Sequence, residues 1–377
     1  MRARSNNKKE KLSMRIAEVM RLIEDFAPLD LQENWDNAGL QVGNPLREAT
    51  GAMVCLDVTE AILDEAIAKG INLIITHHPL LFKGLKSITG RNSIERIVMK
   101  AIKNDIAIYS AHTNMDSAWG GVSHHMAKKI GLKDIEVLDC QQGKLYKLIV
   151  FVPVASLDAV RTALVSSGAG NIGNYDSCSY VTQGEGSFRA LEGAEPYVGA
   201  VGSVHHEAEC RLEVILPGRC RSKVLRAMLE AHPYEEPAYD LIALSNENKY
   251  AGLGVVGNLP EAEDAVEFLN RVKGIFGTGA VRYSGDITKP IRRVALCGGA
   301  GAEFVREAVS RGADAFVTGD VKYHEFMDAS ERILIADIGH YESEHFTKEI
   351  FSEIITKKIP NFAIHYAELE KNPINYL

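Results

Sequence analysis

Four short apolar runs in this chain stop abruptly at side chains able to hold protons or metal ions, and that recurrence restricts both fold and chemistry. Ile71-Asn72-Leu73-Ile74-Ile75-Thr76 ends at His77-His78-Pro79, and Asp105-Ile106-Ala107-Ile108-Tyr109-Ser110-Ala111 ends at His112-Thr113-Asn114-Met115-Asp116. Further on, Ala313-Asp314-Ala315-Phe316-Val317-Thr318 runs into Gly319-Asp320, and Arg332-Ile333-Leu334-Ile335-Ala336 into Asp337-Ile338-Gly339-His340-Tyr341-Glu342-Ser343-Glu344. Apolar runs this short, between turn residues, read as buried strands. In an open parallel sheet, sites form at the carboxyl ends of strands, so residues about 270 positions apart can meet in one cleft.

Between these runs the pattern alternates strand with helix. Ile16, Met20, Ile23 and Phe26 mark an amphipathic helix, followed by a loop through Pro28 and Trp35-Asp36-Asn37-Ala38-Gly39-Leu40. Strands are expected over 53–57, 72–76 and 106–111, with helices over 59–69, 93–104 and 121–131, a βαβ wind implying a right-handed parallel sheet. The rhythm changes at Lys144. From there to residue 248 the order is βαββαβ, that of a ferredoxin-like sandwich, with strands at 146–152, 175–182, 211–216 and 238–244 and a glycine-rich stretch between the middle two. After Gly252-Leu253-Gly254 the βα wind returns, with a helix over 262–276. The expected organisation is an extension over 1–13, one α/β domain made of 14–143 and 249–377, and an α+β insert at 144–248 interrupting it.

Composition narrows the function. The chain has 377 residues, 46% of them hydrophobic, and a net charge of −8, which gives no general attraction to nucleic acid or anionic lipid. No run of about 18 apolar residues occurs, so no membrane span and a cytoplasmic protein are expected. The basic segment Arg2 to Lys11 has nothing to bury and reads as a disordered extension, with Met14 an alternative start. The six cysteines stand far apart and read as free thiols.

His77 and His78 would face opposite ways within a strand, but at a strand end turning toward Pro79 they can diverge around a cleft. His340 and Glu344 are four apart and share one face if the segment is helical, and Asp116 supplies a second carboxylate. Three imidazoles and two carboxylates suit two divalent ions, with about two positive charges left over for a hydroxide, phosphate or substrate oxygen. Nitrogen and oxygen donors without thiolate are compatible with zinc, iron(II) or manganese. A paired His-His, a turn-forming Asp or a solvated His-x3-Glu would each be ordinary alone; their convergence on strand ends makes the case. His112, Asn114 and His324 lie near these turns, and His112 and His324 are candidates for proton transfer. Gly298-Gly299-Ala300-Gly301 could seat a phosphate on backbone amides, and Lys83 could meet an anionic substrate. His124-His125 and His205-His206 read as surface pairs.

The strings Thr76-His77-His78-Pro79-Leu80, His112-Thr113-Asn114-Met115-Asp116 and Gly339-His340-Tyr341-Glu342-Ser343-Glu344 resemble those of the Nif3 family, often labelled GTP cyclohydrolase 1 type 2 homologues. Trp35-Asp36-Asn37-Ala38-Gly39-Leu40 and Thr318-Gly319-Asp320-Val321-Lys322-Tyr323-His324 also fit. The resemblance implies a dinuclear site on His77, His78, Asp116, His340 and Glu344. It also implies a homohexameric toroid and an insert similar to PII and CutA proteins, signed by His232-Pro233-Tyr234-Glu235-Glu236-Pro237-Ala238-Tyr239-Asp240. His205-His206 departs from that insert pattern. Two functions are consistent with this reading. The first is a metal-dependent hydrolase acting on a nucleotide or other phosphorylated or cyclic small molecule; the second is a metal-handling regulator whose insert senses a small molecule.

Overall fold

Three fully buried strands, Ala52–Cys55, Leu73–Thr76 and Ala107–Ser110, lie parallel at the heart of a five-stranded sheet in the computed structural model, which describes residues 14–377. Their continuous apolar character follows from being covered on both faces, as parallel strands are. Ile364–Tyr366 extends the sheet in parallel on one edge, and Gly39–Val42 closes the other antiparallel to Ala107–Ser110. A second, six-stranded sheet has the same plan. Ile291–Leu296, Ala315–Thr318 and Leu334–Asp337 run parallel, flanked by antiparallel Arg282–Ser284 on one side and by Asn248–Glu263, then Lys133–Gln141, on the other.

The single parallel sheet expected from the alternation is thus replaced by two mixed sheets. Two flanking strands lack an apolar run for a physical reason. Lys133–Gln141 is charged and largely solvent-facing, and Asn248–Glu263 carries glycines that read as a loop. One of these, Gly252, is needed because a Cβ there would come within 2.0 Å of the Asp139 carbonyl oxygen, so glycine here permits close strand approach rather than marking a turn. Gly39–Val42, expected as loop, is a strand for a similar reason: its apolar run is too short to register as one.

The chain divides into two compact units, one made of residues up to Asp139 together with Tyr250–Leu377, the other Cys140–Lys249. The second unit is a four-stranded antiparallel sheet in the order Tyr180–Arg189, Val204–Pro217, Leu145–Pro153, Tyr239–Leu244, with helices Leu157–Ser166 and Arg221–Ala231. Leu148, Val150, Val152, Cys210, Leu212, Val214 and Leu216 alternate onto one sheet face and pack against Val160, Leu164, Val224 and Met228 of the helices. Its middle strands are longer than the sequence suggested. The glycine-rich stretch expected as loop continues Tyr180–Arg189 as a ladder paired with Val204–Pro217 as far as Arg189 opposite Val204. All six cysteines are free, and among the described residues no helix is long and apolar enough to cross a membrane. The expected extension over 1–13 lies outside the described residues.

One histidine pair is not where the sequence suggested. His124 is buried on helix Val122–Ile130, edge-on to Trp119 at 4.2 Å, while His125 stacks on Phe346 and meets Glu349 at 3.2 Å. An apolar helix face took His124 inward, where its ring packs as an aromatic. Burial, with Lys128 adding to it, lowers its pKa to about 4 from an ordinary 6.5. The unfolded chain therefore binds a proton that the folded chain refuses between these values. Stability from this group is complete above pH 6.5 and lost as pH falls toward 4, by roughly 3 kcal/mol. His124→Gln should flatten that part of the acid branch in thermal melts of metal-free protein; an unchanged branch would remove His124 from the account.

Candidate metal centre

The parallel strands deliver their last residues to one region of the larger unit. His77 follows Leu73–Thr76; its main-chain N–H donates to the Cys55 carbonyl and its carbonyl accepts from Ser110 Oγ at 2.8 Å, which fixes the turn between neighbouring strands. His77 Nδ1 lies 2.8 Å from the Ala111 carbonyl oxygen, His78 Nδ1 2.9 Å from Asp57 Oδ1, and His340 Nδ1 2.7 Å from Asp320 Oδ2. An acceptor facing each Nδ1 holds the proton there. In the neutral rings every Nε2 lone pair is thereby left free, the arrangement in which imidazoles bind metals.

Those three nitrogens converge on one carboxylate. Glu344 Oε2 lies 3.0 Å from both His78 Nε2 and His340 Nε2, which are 3.2 Å from each other, and Glu344 Oε1 lies 3.7 Å from His77 Nε2. His77 Nε2 is also 3.6 Å from Asp116 Oδ1. Three groups have ligand atoms mutually within 4.8 Å: His78 with His340 and Glu344, His77 with Asp116 and Glu344, and His77 with His78 and His112. These groups could hold a metal ion. The fit is marked by two buried atoms, His77 Nε2 and Asp116 Oδ1, that face each other without a hydrogen-bond partner, an arrangement that is costly unless something else satisfies both.

Electrostatics point the same way. Burial disfavours charge on His78, but the Asp57 and Glu344 carboxylates outweigh it and push its pKa up to about 10. His340 is raised to about 9 against the same burial by Glu344 and Asp320. Burial likewise opposes the charge on Glu344, yet His77, His340 and His78 together hold its carboxyl well below the usual range, while burial raises Asp116 despite His77. Anionic carboxylate and imidazoles packed this tightly form a donor set that could hold a metal ion in place of protons.

Short helices aim the remaining groups. His340 and Glu344 share helix His340–Glu344, opened by Gly339 in the left-handed region, and Asp116 sits on helix Thr113–Ser117. That second helix is anchored by Asp36, whose Oδ2 accepts from the Thr113 N–H at 3.0 Å and whose Oδ1 meets His112 Nδ1 at 2.9 Å. Burial opposes its charge, but hydrogen bonds from His112 and Thr113 hold the Asp36 carboxyl at about 2. Asn114 caps locally, accepting from the His112 N–H and donating to the Ala27 carbonyl. His324 stands apart: it is exposed on helix Tyr323–Ala329 with its ring against Tyr323, and belongs to none of the three groups. Lys83 is exposed.

Three carboxylates have a role that the sequence does not assign. Asp36, Asp57 and Asp320 each face an imidazole nitrogen; Asp36 and Asp320 stand within strings that resemble the family's, Asp57 in none. Asp320 holds a left-handed backbone, φ 54°, uncommon for a residue with a Cβ, to reach His340. The glycine turn after Ile291–Leu296 does not match the phosphate-cradle expectation. The Gly299 and Gly301 amides are already taken by Ser343 Oγ and Thr318 Oγ1 at 2.8 and 2.9 Å. Glycine is required at 299 because a Cβ there would lie 2.3 Å from Glu344 Oε1.

The sequence model of the family described as Duf34/NIF3 (NGG1p interacting factor 3) matches residues 14–373. The chain belongs to the Duf34/NIF3 family. A relative from Halalkalibacterium halodurans named GTP cyclohydrolase 1 type 2 homolog is 43% identical over 324 residues, covering 85% of this chain and 87% of its own. One of the same name from Bacillus subtilis is 38% identical over 370 residues, covering 96% and 98%. A crystal structure of a Bacillus cereus protein related to NIF3 superposes with a TM-score of 0.82 at 38% identity, covering 97% of this chain and 99% of that one.

In this Duf34/NIF3 member, Gly299→Ala combines a positive φ of 63° with the collision against Glu344. It should cost roughly 1–2 kcal/mol in chemical denaturation and displace Glu344 enough to lower metal uptake by dialysed protein. Full uptake with unchanged stability would show that Glu344 tolerates the shift.

Proposed function

We propose that this Duf34/NIF3 protein is a metal-dependent hydrolase of the GTP cyclohydrolase 1 type 2 kind, with His77, Asp116 and Glu344 holding one divalent ion and His78, His340 and Glu344 a second. The observation that carries the reading is the Glu344 carboxylate, which turns one oxygen to His77 and the other to His78 and His340. Zinc, iron(II) or manganese suits this donor set. When bound, such a pair would polarise water and a substrate oxygen.

The protein's own groups supply the rest. His112 is held by Asp36 with its proton on Nδ1, so its Nε2 is free to take a proton from water and return it to a departing ring nitrogen. Asp36 stays ionised and steadies the charged imidazole that forms between these steps. For a cyclohydrolase, the balance is addition of water to a ring carbon, cleavage of a carbon–nitrogen bond and protonation of the nitrogen. Beside His112 stand the exposed rings of Trp35 and Phe82, 6.0 and 6.3 Å from it and 5.8 Å from each other, a platform for a planar ring. The name that these relatives carry, GTP cyclohydrolase 1 type 2 homolog, supports a nucleotide substrate. Two further features of the proposal rest on the resemblance: an assembly of six copies, and a ferredoxin-like insert of PII/CutA type, which the strand order and two helices of the smaller unit support.

Elemental analysis of protein loaded with zinc, iron or manganese should return two ions per chain. Asp116→Asn should lose one of them and Glu344→Gln both, with GTP turnover falling by roughly 100-fold or more in Glu344→Gln. Two tightly held ions with no turnover across a broad nucleotide and phosphoester panel would move the function to metal handling. Trp35→Ala should raise KM roughly tenfold while leaving kcat nearly unchanged, the loss of one base-stacking contact; an unchanged KM would remove the aromatic platform.

A further inference from the structure

The smaller unit holds a cavity of about 620 Å³ remote in sequence from every strand-end ligand. It lies on the sheet face opposite the two helices. Phe151, Phe188, Glu209 and Arg211 point to that side, because the alternate residues Val150, Val152, Cys210 and Leu212 are the ones packed into the helix-covered core. Loop residues Ala194, Pro196, Tyr197 and Tyr234–Glu236 complete the wall.

The floor is shaped by glycine. Gly184 and Gly186 alternate onto the cavity side of their strand; a Cβ at 184 would meet nothing within 4 Å, whereas one at 186 would strike the Glu209 carboxylate at 2.2 Å. Open space at 184 is therefore room that a larger side chain would occupy without strain. Three rings form one side: Tyr234 lies 6.0 Å from Phe188 and 6.2 Å from Tyr197, centroid to centroid. Tyr234 Oη donates to Glu209 Oε1 at 2.9 Å, fixing a carboxylate beside the rings, with Oε2 over Gly186.

Charge decides the ligand class. Glu209, Glu235 and Glu236 line the cavity against a single guanidinium, Arg211, which is already paired with Glu213 at 3.0 Å. Anions are therefore disfavoured. Aromatic faces joined to a fixed carboxylate attract a cation whose body is apolar. We propose that this cavity binds an organic cation, a primary or quaternary ammonium carried on a small apolar or aromatic body, at a site separate from the strand-end ligands.

The test uses the full chain, with and without added zinc, titrated by calorimetry and by NMR with benzyltrimethylammonium and with phenylacetate. The ammonium should bind with a Kd on the order of 1 mM or tighter, and phenylacetate should not. Glu209→Gln should weaken ammonium binding by roughly tenfold. Gly184→Leu, which fills open space, should abolish it while leaving the melting temperature and metal content unchanged. Equal binding of the anion, no binding of the cation, or ammonium binding retained in Gly184→Leu would each overturn the proposal. Because Gly184 and Glu209 lie in the smaller unit, failure here leaves the strand-end metal reading untouched, and failure of that reading leaves this one standing.

Discussion

A buried carboxylate facing three imidazole nitrogens is the interaction on which the larger unit is organised. Glu344 is 3% exposed and His77 wholly buried, and an isolated anion at such a depth would cost far more than a domain's net stability. The charge persists only because His77, His78 and His340 are turned toward it. Each ring is in turn held by an acceptor at its far nitrogen, the Ala111 carbonyl, Asp57 or Asp320. Orientation is thus set two bonds back from the centre, by groups that never reach it. The mutual approach of His78 and His340 to 3.2 Å is repulsive with both rings charged, a repulsion that one ion held by both rings and Glu344 would relieve.

The two sheets explain how that cluster can be rigid. Each presents a pair of parallel strands whose carboxyl ends carry site residues, Leu73–Thr76 with Ala107–Ser110 in one and Ala315–Thr318 with Leu334–Asp337 in the other. Parallel ladders fix the relative height of neighbouring strand ends, because a slip of one residue would move every side chain out of its packing place on both buried faces. Asp337 shows the same economy. It does not join the site but accepts from the Val321 and Gly339 amides and pairs with Arg282, tying together the two turns that present Asp320 and His340.

Legibility in the sequence followed burial. Strands covered on both faces announce themselves as apolar runs, and their ends, marked by His, Asp and Glu, were readable together with the short helix that puts His340 and Glu344 on one face. Two strands of the larger unit do not: Lys133–Gln141 looks like a charged loop, and Asn248–Glu263 like a glycine linker, because what those residues satisfy is the backbone of a neighbour distant in sequence. His124 was misread for the same reason, since a histidine doublet on a helix carries no mark of which ring faces inward. Of the supporting aspartates, Asp36 and Asp320 stand in recognisable strings and Asp57 in none, but which ring each one orients is defined only by what it touches.

By itself the chain determined a metal-competent set of side chains and an alternating architecture, because donor chemistry and the period of apolar residues are properties of single segments. Only tertiary structure decided that one carboxylate is shared among three imidazoles, that the wind splits into two mixed sheets, and that a glycine floor opens a cavity in the smaller unit. Those outcomes depend on distances between residues far apart along the polypeptide, and such distances are fixed by packing and strand register, which no local pattern encodes.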